Sequence, residues 1–208
     1  MIAKGHYIKG GTVNHASAAS HLSSHLKYLE HRSRERDESR EERTIFSKEE
    51  ESVSRREALD DVMDHTSQRV SYHQIVLSPA EDEPVQDWRE WTREAMADLE
   101  AFQGTELHWY AVHHSNTDHE HVHVVLAGAG EDLETGQPTP VTLSPEDYRE
   151  LRESGQEHSE FAFYYHLEVA LQEYDRQDEI GRNVGGREQD SEPGTLSLAF
   201  DAEGEHEL

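Results

Sequence analysis

The most constraining feature of the sequence is the segment WYAVHHSNTDHEHVHVVL, residues 109–126, which carries five of the 16 histidines. His121 and His123 alternate with valines, and this period of two indicates a strand whose two sides differ in polarity. A second run with strand character precedes it, and the turn-forming segment SNTDHE joins the two runs. The segment therefore predicts an antiparallel hairpin with strands over residues 106–114 and 120–127.

Three histidines of this hairpin are predicted to converge. Alternate residues of a strand face the same side, so His121 and His123 point together, and His114 on the partner strand approaches them if its face is the same one. Three imidazoles on a rigid hairpin form a divalent-metal site with open positions for water or phosphate. Asp118, in the turn, can orient one ring through its second nitrogen. The competing interpretation is a row of solvated histidines on a polar face.

The remaining pattern alternates helices and strands. Residues 17–31 predict a helix, because leucines recur at helical spacing. A second face of this helix carries three polar residues: His21, His25 and Tyr28. Residues 70–78 predict a buried strand, and Pro84 opens an amphipathic helix that Gly104 ends. With residues 128–140 as a polar loop, the pattern predicts an α+β fold, a central antiparallel β-sheet flanked by helices.

The charge of the chain is strongly acidic, with 19 basic against 45 acidic residues and a net charge of -26. Such a chain repels nucleic acid unless its cations are concentrated, and residues 1–36 hold six basic residues and only two acidic ones. A surface rich in Glu and Asp suits molar salt, where the screening length falls to about 3 Å. We therefore expect a halophilic source, with an acidic protein from an ordinary host as the alternative.

The absence of cysteine excludes disulfides, thiolate zinc sites and cysteine nucleophiles, so any metal must bind His, Asp or Glu. No run of about 18 apolar residues predicts a membrane span, and the first residues lack a signal core. We expect a cytoplasmic protein without membrane insertion. Residues 1–184 are expected to form one domain with a mobile charged insert at 32–57, followed by a disordered acidic tail at 185–208.

Four segments resemble motifs of one family, the relaxases, which are HUH endonucleases of conjugative and mobilisable elements. Residues 114–126, HSNTDHEHVHVVL, resemble the third motif of the MobP/VirD2-like group, with Glu120 where proline is usual. That substitution adds a charge beside the expected metal and keeps the ligand types. HLKYLEHR resembles the motif around the catalytic tyrosine, SYHQIVLSP the strand before the long helix, and WREWTREAMADLE that helix. The resemblance covers roughly residues 1–175.

The resemblance implies a nuclease with an RRM-like palm that nicks and rejoins single-stranded DNA at a transfer origin through a 5'-phosphotyrosine. It implies that His114, His121 and His123 hold a divalent ion, that Tyr28 is the nucleophile and that Asp118 is a supporting carboxylate. Imidazole ligands suit Mn, Co, Ni or Zn in vitro, whereas availability in the cell favours Mn or Mg. Accessory DNA-binding or coupling proteins are expected as partners. Three flanking basic residues are expected to contact DNA phosphates: Lys27, Arg32 and Arg34.

The nucleophile and the wider function both have rivals. His21, His25 and Tyr7 are alternative nucleophiles, because some related relaxases use a histidine and Tyr7 is the nearest other tyrosine. An HUH-type replication initiator or transposase is a second candidate function, although those proteins usually carry the tyrosine after the HUH element. A non-catalytic DNA- or metal-binding module is the third. The net charge favours it, whereas the intact set of three histidines and the candidate tyrosine argue against it.

Overall fold

The computed structural model describes residues 1–11, 14–31, 43–80, 84–115, 119–159 and 176. The elements below lie in one compact unit, Met1–Tyr165. The helices among the described residues are α1 (His15–His31), α2 (Arg55–Asp64), α3 (Trp88–Gln103) and α4, which covers residues 145–159. The strands are β1 (Ile2–Lys9), β2 (Phe46–Ser47), β3 (Val70–Ser78), β4 (Thr105–Glu106), β5 (Trp109–His114), β6 (His121–Ala127), β7 (Ala129–Asp132) and β8 (Pro138–Pro140).

Within the described residues, a five-stranded antiparallel sheet in the order β1-β3-β6-β5-β2 forms the centre of the unit. This order places β6 in the middle of the sheet, between β3 and β5. Strands β5 and β6 are the two arms of the predicted hairpin. Helices cover the sheet, so the predicted α+β fold with a central antiparallel sheet flanked by helices is confirmed.

The two faces of the sheet bury separate apolar cores, because side chains alternate along each strand. On one face, Val122, Val124 and Leu126 of β6 pack with Trp91 and Leu99 of α3. Each large apolar side chain buried in this way contributes about 1.5–3 kcal/mol. The other face packs against α1 and α2 through a second set of buried residues: Leu22, Leu26, Leu29, Ala58, Val62, Tyr72, Val112, Val125 and Ala127. The predicted leucine face of α1 is therefore its core face.

Helix α3 begins at Trp88 rather than at the predicted Pro84. The reason is the carboxylate of Asp87, which accepts hydrogen bonds from the backbone N–H groups of Arg89 and Glu90. Such a cap satisfies donors that have no partner within the first turn of a helix. At the other end, Gly104 adopts a left-handed φ of 65°, a conformation that glycine reaches without strain, and it ends the helix as predicted.

The polar loop predicted over residues 128–140 is wrong. Strands β4, β7 and β8 form a second, three-stranded sheet among the described residues. The β7–β8 turn is closed by Asp132, whose carboxylate accepts from the backbone N–H of Thr135 at 2.8 Å, and by Gly136 at a φ of 66°. These short strands carry acidic residues, glycine and proline, so they lack the alternation by which a strand is recognised.

The predicted mobile insert over residues 32–57 contains ordered elements in its second part. Strand β2 pairs with the edge of β5, and helix α2 begins behind an N-cap at Ser54, whose hydroxyl accepts from the N–H of Glu57. Ile45 and Phe46 are at most 1% exposed. Two buried apolar side chains thus anchor a charged stretch to the sheet.

Residues 32–42 lie outside the described residues, as does the predicted acidic tail over residues 185–208. In the part of the chain that the structure does describe, no helix has both the length and the apolar character needed to cross a membrane.

Candidate active site

The register of β5 against β6 decides which histidines meet. Val112 pairs with His123 and His114 pairs with His121, so the three histidines lie on one face of the sheet, the face that α1 covers. Their potential ligand atoms all lie within 4.8 Å of one another. Nε2 of His121 lies 3.2 Å from Nε2 of His123. We call these three histidines the triad, and the structure brings them together as the spacing predicted.

Backbone carbonyls orient two rings of the triad. The Nε2–H of His114 donates to the carbonyl of Leu29 at 3.1 Å, which leaves the lone pair on Nδ1. The Nδ1–H of His121 donates to the carbonyl of His119 at 3.0 Å, which leaves the lone pair on Nε2. Histidines that bind metals usually donate their other ring N–H in this way, and the bond fixes the tautomer. The donor set of the triad therefore fits a divalent cation.

The triad lies between the core and the solvent. The side chain of His114 is 1% exposed, whereas His121 and His123 are half-buried. The triad is therefore closed on the His114 side and more open on the side of His121 and His123. Positions on this second side stay open to water or to a phosphate oxygen, which is the arrangement that a catalytic metal centre needs.

Helix α1 brings a second row of histidines to the same face. The ring of His25 lies edge-on to that of His123, with 6.4 Å between the ring centroids. Nδ1 of His21 shares a 2.7 Å hydrogen bond with Oη of Tyr72 on β3. Burial raises the pKa of Tyr72 to about 12, so its side chain remains a phenol at neutral pH. This hydrogen bond ties α1 to the sheet beside the triad.

His25 is neutral near pH 7. Burial is the main cause that lowers its pKa to about 4, and the nearby imidazoles of His21 and His6 lower it further. A neutral ring beside the triad does not repel a cation.

The two candidate tyrosines lie on different faces. Tyr28 follows His25 by about one turn of α1, and its side chain is 49% exposed. The residue after it, Leu29, supplies the carbonyl that binds His114. Tyr7 pairs with His73, and the two rings meet edge-on with 6.3 Å between centroids on the α3 face. The structure therefore brings Tyr28 to the triad side of the sheet and places Tyr7 on the opposite side.

Glu120 does not add its charge beside the triad, so the expectation based on the missing proline is wrong. Its carboxylate accepts from Nε2 of His113 at 3.0 Å. His113 pairs with Val122 and points to the α3 face, where its ring stacks on Trp88 with 4.4 Å between centroids. This contact forms on the opposite face because His113 and His114 are consecutive residues of a strand.

The remaining expected site residues are only partly within the described chain. Lys27 is exposed on α1, beside Tyr28. Arg32, Arg34 and Asp118 lie outside the described residues.

His6 belongs to this face of the sheet and was missed by sequence analysis. The pairing of β1 with β3 sets His6 opposite Gln74, on the side that α1 covers, and its imidazole contributes to the lowered pKa of His25. The sequence does show a histidine, His6, next to an aromatic residue, Tyr7, in the run that forms β1. Only the order of strands shows that this histidine lies near the hairpin.

A comparison with family models matches residues 28–160 to one model, described as relaxase, MobA/VirD2-like, nuclease domain. The matched range starts at Tyr28, contains the whole triad and α3, and spans more than half of the chain. No curated protein matches the chain. The fold, the triad and this match agree with the family that the motifs predicted. The protein belongs to the MobA/VirD2-like relaxases, metal-dependent enzymes that bind single-stranded DNA and nick it by transesterification.

Proposed function

We propose that this relaxase nicks and rejoins single-stranded DNA at one site and on one strand, at the transfer origin of a plasmid or another mobile element. The proposed intermediate is a 5'-phosphotyrosine at Tyr28. The observation that carries the proposal is the link between α1 and the triad. The carbonyl of Leu29, the residue after Tyr28, accepts the hydrogen bond of His114. This bond joins the segment of the nucleophile directly to a metal ligand.

His114, His121 and His123 are the proposed ligands of a divalent ion, Mn or Mg in the cell and also Zn, Ni or Co in vitro. When bound, such an ion polarises the scissile phosphate and stabilises charge on the phosphoryl oxygens and on the leaving 3'-oxygen. Three imidazoles are neutral ligands, so they do not reduce the net positive charge with which the ion attracts the phosphate. Asp118 is proposed to support one ring from the turn.

In the proposed step, Oη of Tyr28 attacks phosphorus in line and loses its proton. The bond from phosphorus to the 3'-oxygen breaks, and the 3'-oxygen takes up a proton. One phosphate ester replaces another, so rejoining needs no external energy. Phenols ionise near pH 10, so a proton acceptor close to Tyr28 lowers the barrier. His25 lies about one turn away on the same helix, and this position makes it the proposed acceptor.

His25 is also the second candidate nucleophile. Its ring lies 6.4 Å from that of His123, and it is neutral and therefore nucleophilic at pH 7. His21 is less suited, because its Nδ1 is engaged by Tyr72 at 2.7 Å. Attack by His25 gives a phosphohistidine, which acid hydrolyses, whereas a phosphotyrosine survives acid.

Lys27, Arg32 and Arg34 are the proposed contacts to DNA phosphates. Each such contact that is removed lowers the dependence of binding on salt, because fewer counterions are released. Accessory DNA-binding or coupling proteins are proposed to help separate the duplex.

We further propose a halophilic source, because 45 acidic residues face 19 basic ones. In molar salt the screening length is about 3 Å, against about 10 Å at 0.1 M, so the acidic surface repels DNA less. A nicking optimum at molar salt supports this proposal, and an optimum at low salt contradicts it.

The test of the proposed function is covalent trapping. The protein is incubated with single-stranded oligonucleotides from its own genetic neighbourhood, with Mn or Mg, and adducts that survive denaturation are mapped by mass spectrometry. The expected adduct lies on Tyr28, is absent in Tyr28→Phe, and is lost in His121→Ala or His123→Ala. An adduct on His25 keeps the reaction class and replaces the nucleophile. No adduct under any condition, with the fold intact, contradicts the proposal.

A further inference from the structure

A second cluster of ionisable side chains lies on the triad face of the sheet, at the other end of β5. Asp61 lies on α2 and His65 follows the end of that helix, while His108 precedes β5 and Glu131 lies on β7. His108 and His114 are separated by six steps along a strand, roughly 20 Å. The cluster is therefore separate from the triad and independent of the proposed function.

The distances within the cluster are those of a compact site. The potential ligand atoms of Asp61, His65 and His108 all lie within 4.8 Å of one another. Glu131 Oε2 lies 2.8 Å from Nε2 of His108, and Oε1 lies 3.7 Å from Nε2 of His65. The four side chains are each between 25% and 33% exposed, so all of them are largely withdrawn from water.

The hydrogen bonds leave two ring lone pairs that face carboxylates. The Nδ1–H of His65 donates to the backbone carbonyl of Asp61 at 2.8 Å, so the lone pair of this ring is on Nε2, towards Glu131. The Nε2–H of His108 donates to Glu131, so its lone pair is on Nδ1, which lies 3.5 Å from Oδ2 of Asp61. A lone pair and a carboxylate oxygen repel each other unless a positive charge lies between them.

A divalent cation is a suitable source of that charge. It supplies two positive charges to match the carboxylates of Asp61 and Glu131. The rings of His65 and His108 stack with 3.6 Å between centroids and an interplanar angle of 12°, so the two imidazoles lie side by side between these carboxylates.

The surroundings add a fixed support and further negative charge. Oη of Tyr110 donates to Oδ2 of Asp61 at 2.9 Å, which orients the carboxylate. Glu57 lies one turn before Asp61 on α2, and its negative charge also attracts a cation.

We propose that Asp61, His65, His108 and Glu131 bind a second divalent cation. Two imidazoles and two carboxylates form a closed set of ligands that suits Zn²⁺. The ligands come from α2, from the start of β5 and from the smaller sheet. A cation here therefore fastens α2 and the β7 strand to the central sheet and stabilises the fold.

The first test counts Zn²⁺ ions per full-length chain after gel filtration. Wild type is compared with a triad variant (His121→Ala with His123→Ala), a cluster variant (His65→Gln with His108→Gln) and the combination. We expect about two, one, one and no ions per chain, respectively. About one ion in wild type and none in the triad variant overturns the proposal. Circular dichroism establishes that each variant is folded.

A second measurement separates a specific site from exposed histidines that bind Zn²⁺ adventitiously. In the triad variant, Zn²⁺ is expected to raise the unfolding temperature by about 5–10 °C. Changing His158→Gln in that background is the matched control, because His158 also lies 2.8 Å from a carboxylate, that of Asp98, outside both clusters. The proposal predicts that Zn²⁺ still raises the unfolding temperature after His158→Gln. If this substitution abolishes the increase, the proposal is contradicted.

Two more conservative substitutions test the site if the variant with His65→Gln and His108→Gln does not fold. Asp61→Asn keeps an acceptor for Oη of Tyr110, and Glu131→Gln keeps an acceptor for His108, while both remove negative charge. In the triad variant, the two changes together are expected to abolish the stabilisation by Zn²⁺. Full retention of it overturns the assignment. Nicking activity plays no part in these outcomes, so they are independent of the fate of the proposed active site.

Discussion

The triad and the second cluster lie at opposite ends of one strand, and they differ in ligand charge. The triad groups three imidazoles, and no carboxylate of the described residues is grouped with it. The second cluster combines two imidazoles with Asp61 and Glu131. We propose that an ion on the triad keeps its positive charge for a phosphate, whereas two carboxylates neutralise an ion in the second cluster. By this proposal, ligand charge separates a catalytic centre from a structural one.

Removing a triad ligand gives the largest expected effect. His123→Ala leaves two imidazoles, so the rate of nicking is expected to fall by about 10³-fold or more, because the charge on the leaving oxygen loses its stabilisation. The measurement is single-turnover nicking of a labelled oligonucleotide with Mn²⁺. His158→Gln, which removes a histidine far from the triad in sequence, serves as the control and keeps the wild-type rate. A fall of less than tenfold contradicts the role of the triad.

Giving the triad a carboxylate tests the comparison itself. His121→Asp keeps three ligands but neutralises part of the charge of the ion, so Mn²⁺ still binds while nicking falls by about 10²-fold. Binding is followed by Mn²⁺ electron paramagnetic resonance, and nicking by the single-turnover assay. Wild-type rates with the ion bound would show that ligand charge does not matter.

Loosening the second cluster gives a smaller effect. Tyr110→Phe removes the hydrogen bond that orients Asp61, and such supporting bonds typically change metal affinity by about 10-fold to 100-fold. Calorimetric titration of Zn²⁺ into the His121→Ala, His123→Ala background measures this change. The same substitution in the otherwise wild-type chain is expected to leave the nicking rate within about twofold, because the phenol is remote from the triad. Unchanged Zn²⁺ affinity contradicts the orienting role.

A histidine outside both clusters provides the baseline and the smallest effect. His73 is 3% exposed, and its Nε2–H donates to the carbonyl of Val141 at 3.1 Å. Burial is the main cause that lowers its pKa from 6.5, against the smaller opposing effects of Val141 and Asp147. The unfolded chain therefore binds a proton more readily, so this histidine favours the folded state above pH 6.5 and loses that contribution as the pH falls.

The measurement for His73 is the free energy of unfolding in urea on both sides of pH 6.5. His73→Gln keeps a side-chain N–H donor but has no titratable group, so its stability is expected to fall less on acidification than that of wild type. Equal slopes for the two proteins contradict the assignment. The lowered pKa values of Asp98 and Asp147 act at more acidic pH, so they do not interfere.

The sequence predicted the triad because the pattern that indicates it is local to one hairpin. The alternation of His121 and His123 with buried valines is a local pattern, and a short turn fixes the partner strand. The leucine face of α1 and the glycine end of α3 are likewise local. These features follow from side-chain period and from backbone conformation, which neighbouring residues determine.

The second cluster and the second sheet were not predictable in this way. Asp61 and Glu131 are far apart in the chain and meet only through the packing of α2 against the sheet. Strands β7 and β8 are short, β7 carries glycine and two acidic residues, and β8 carries two prolines, so their pattern resembles a loop. The position of His6 depends on strand order, which no local period encodes.

The central claim is that an ion on the triad contacts the scissile phosphate and an ion in the second cluster does not. The most direct test is the hyperfine coupling between Mn²⁺ and phosphorus of a bound oligonucleotide, measured by electron–nuclear double resonance in chains that lack one cluster or the other. We predict the coupling in the His65→Gln, His108→Gln variant and its loss in the His121→Ala, His123→Ala variant. Coupling that persists without the triad would contradict the account.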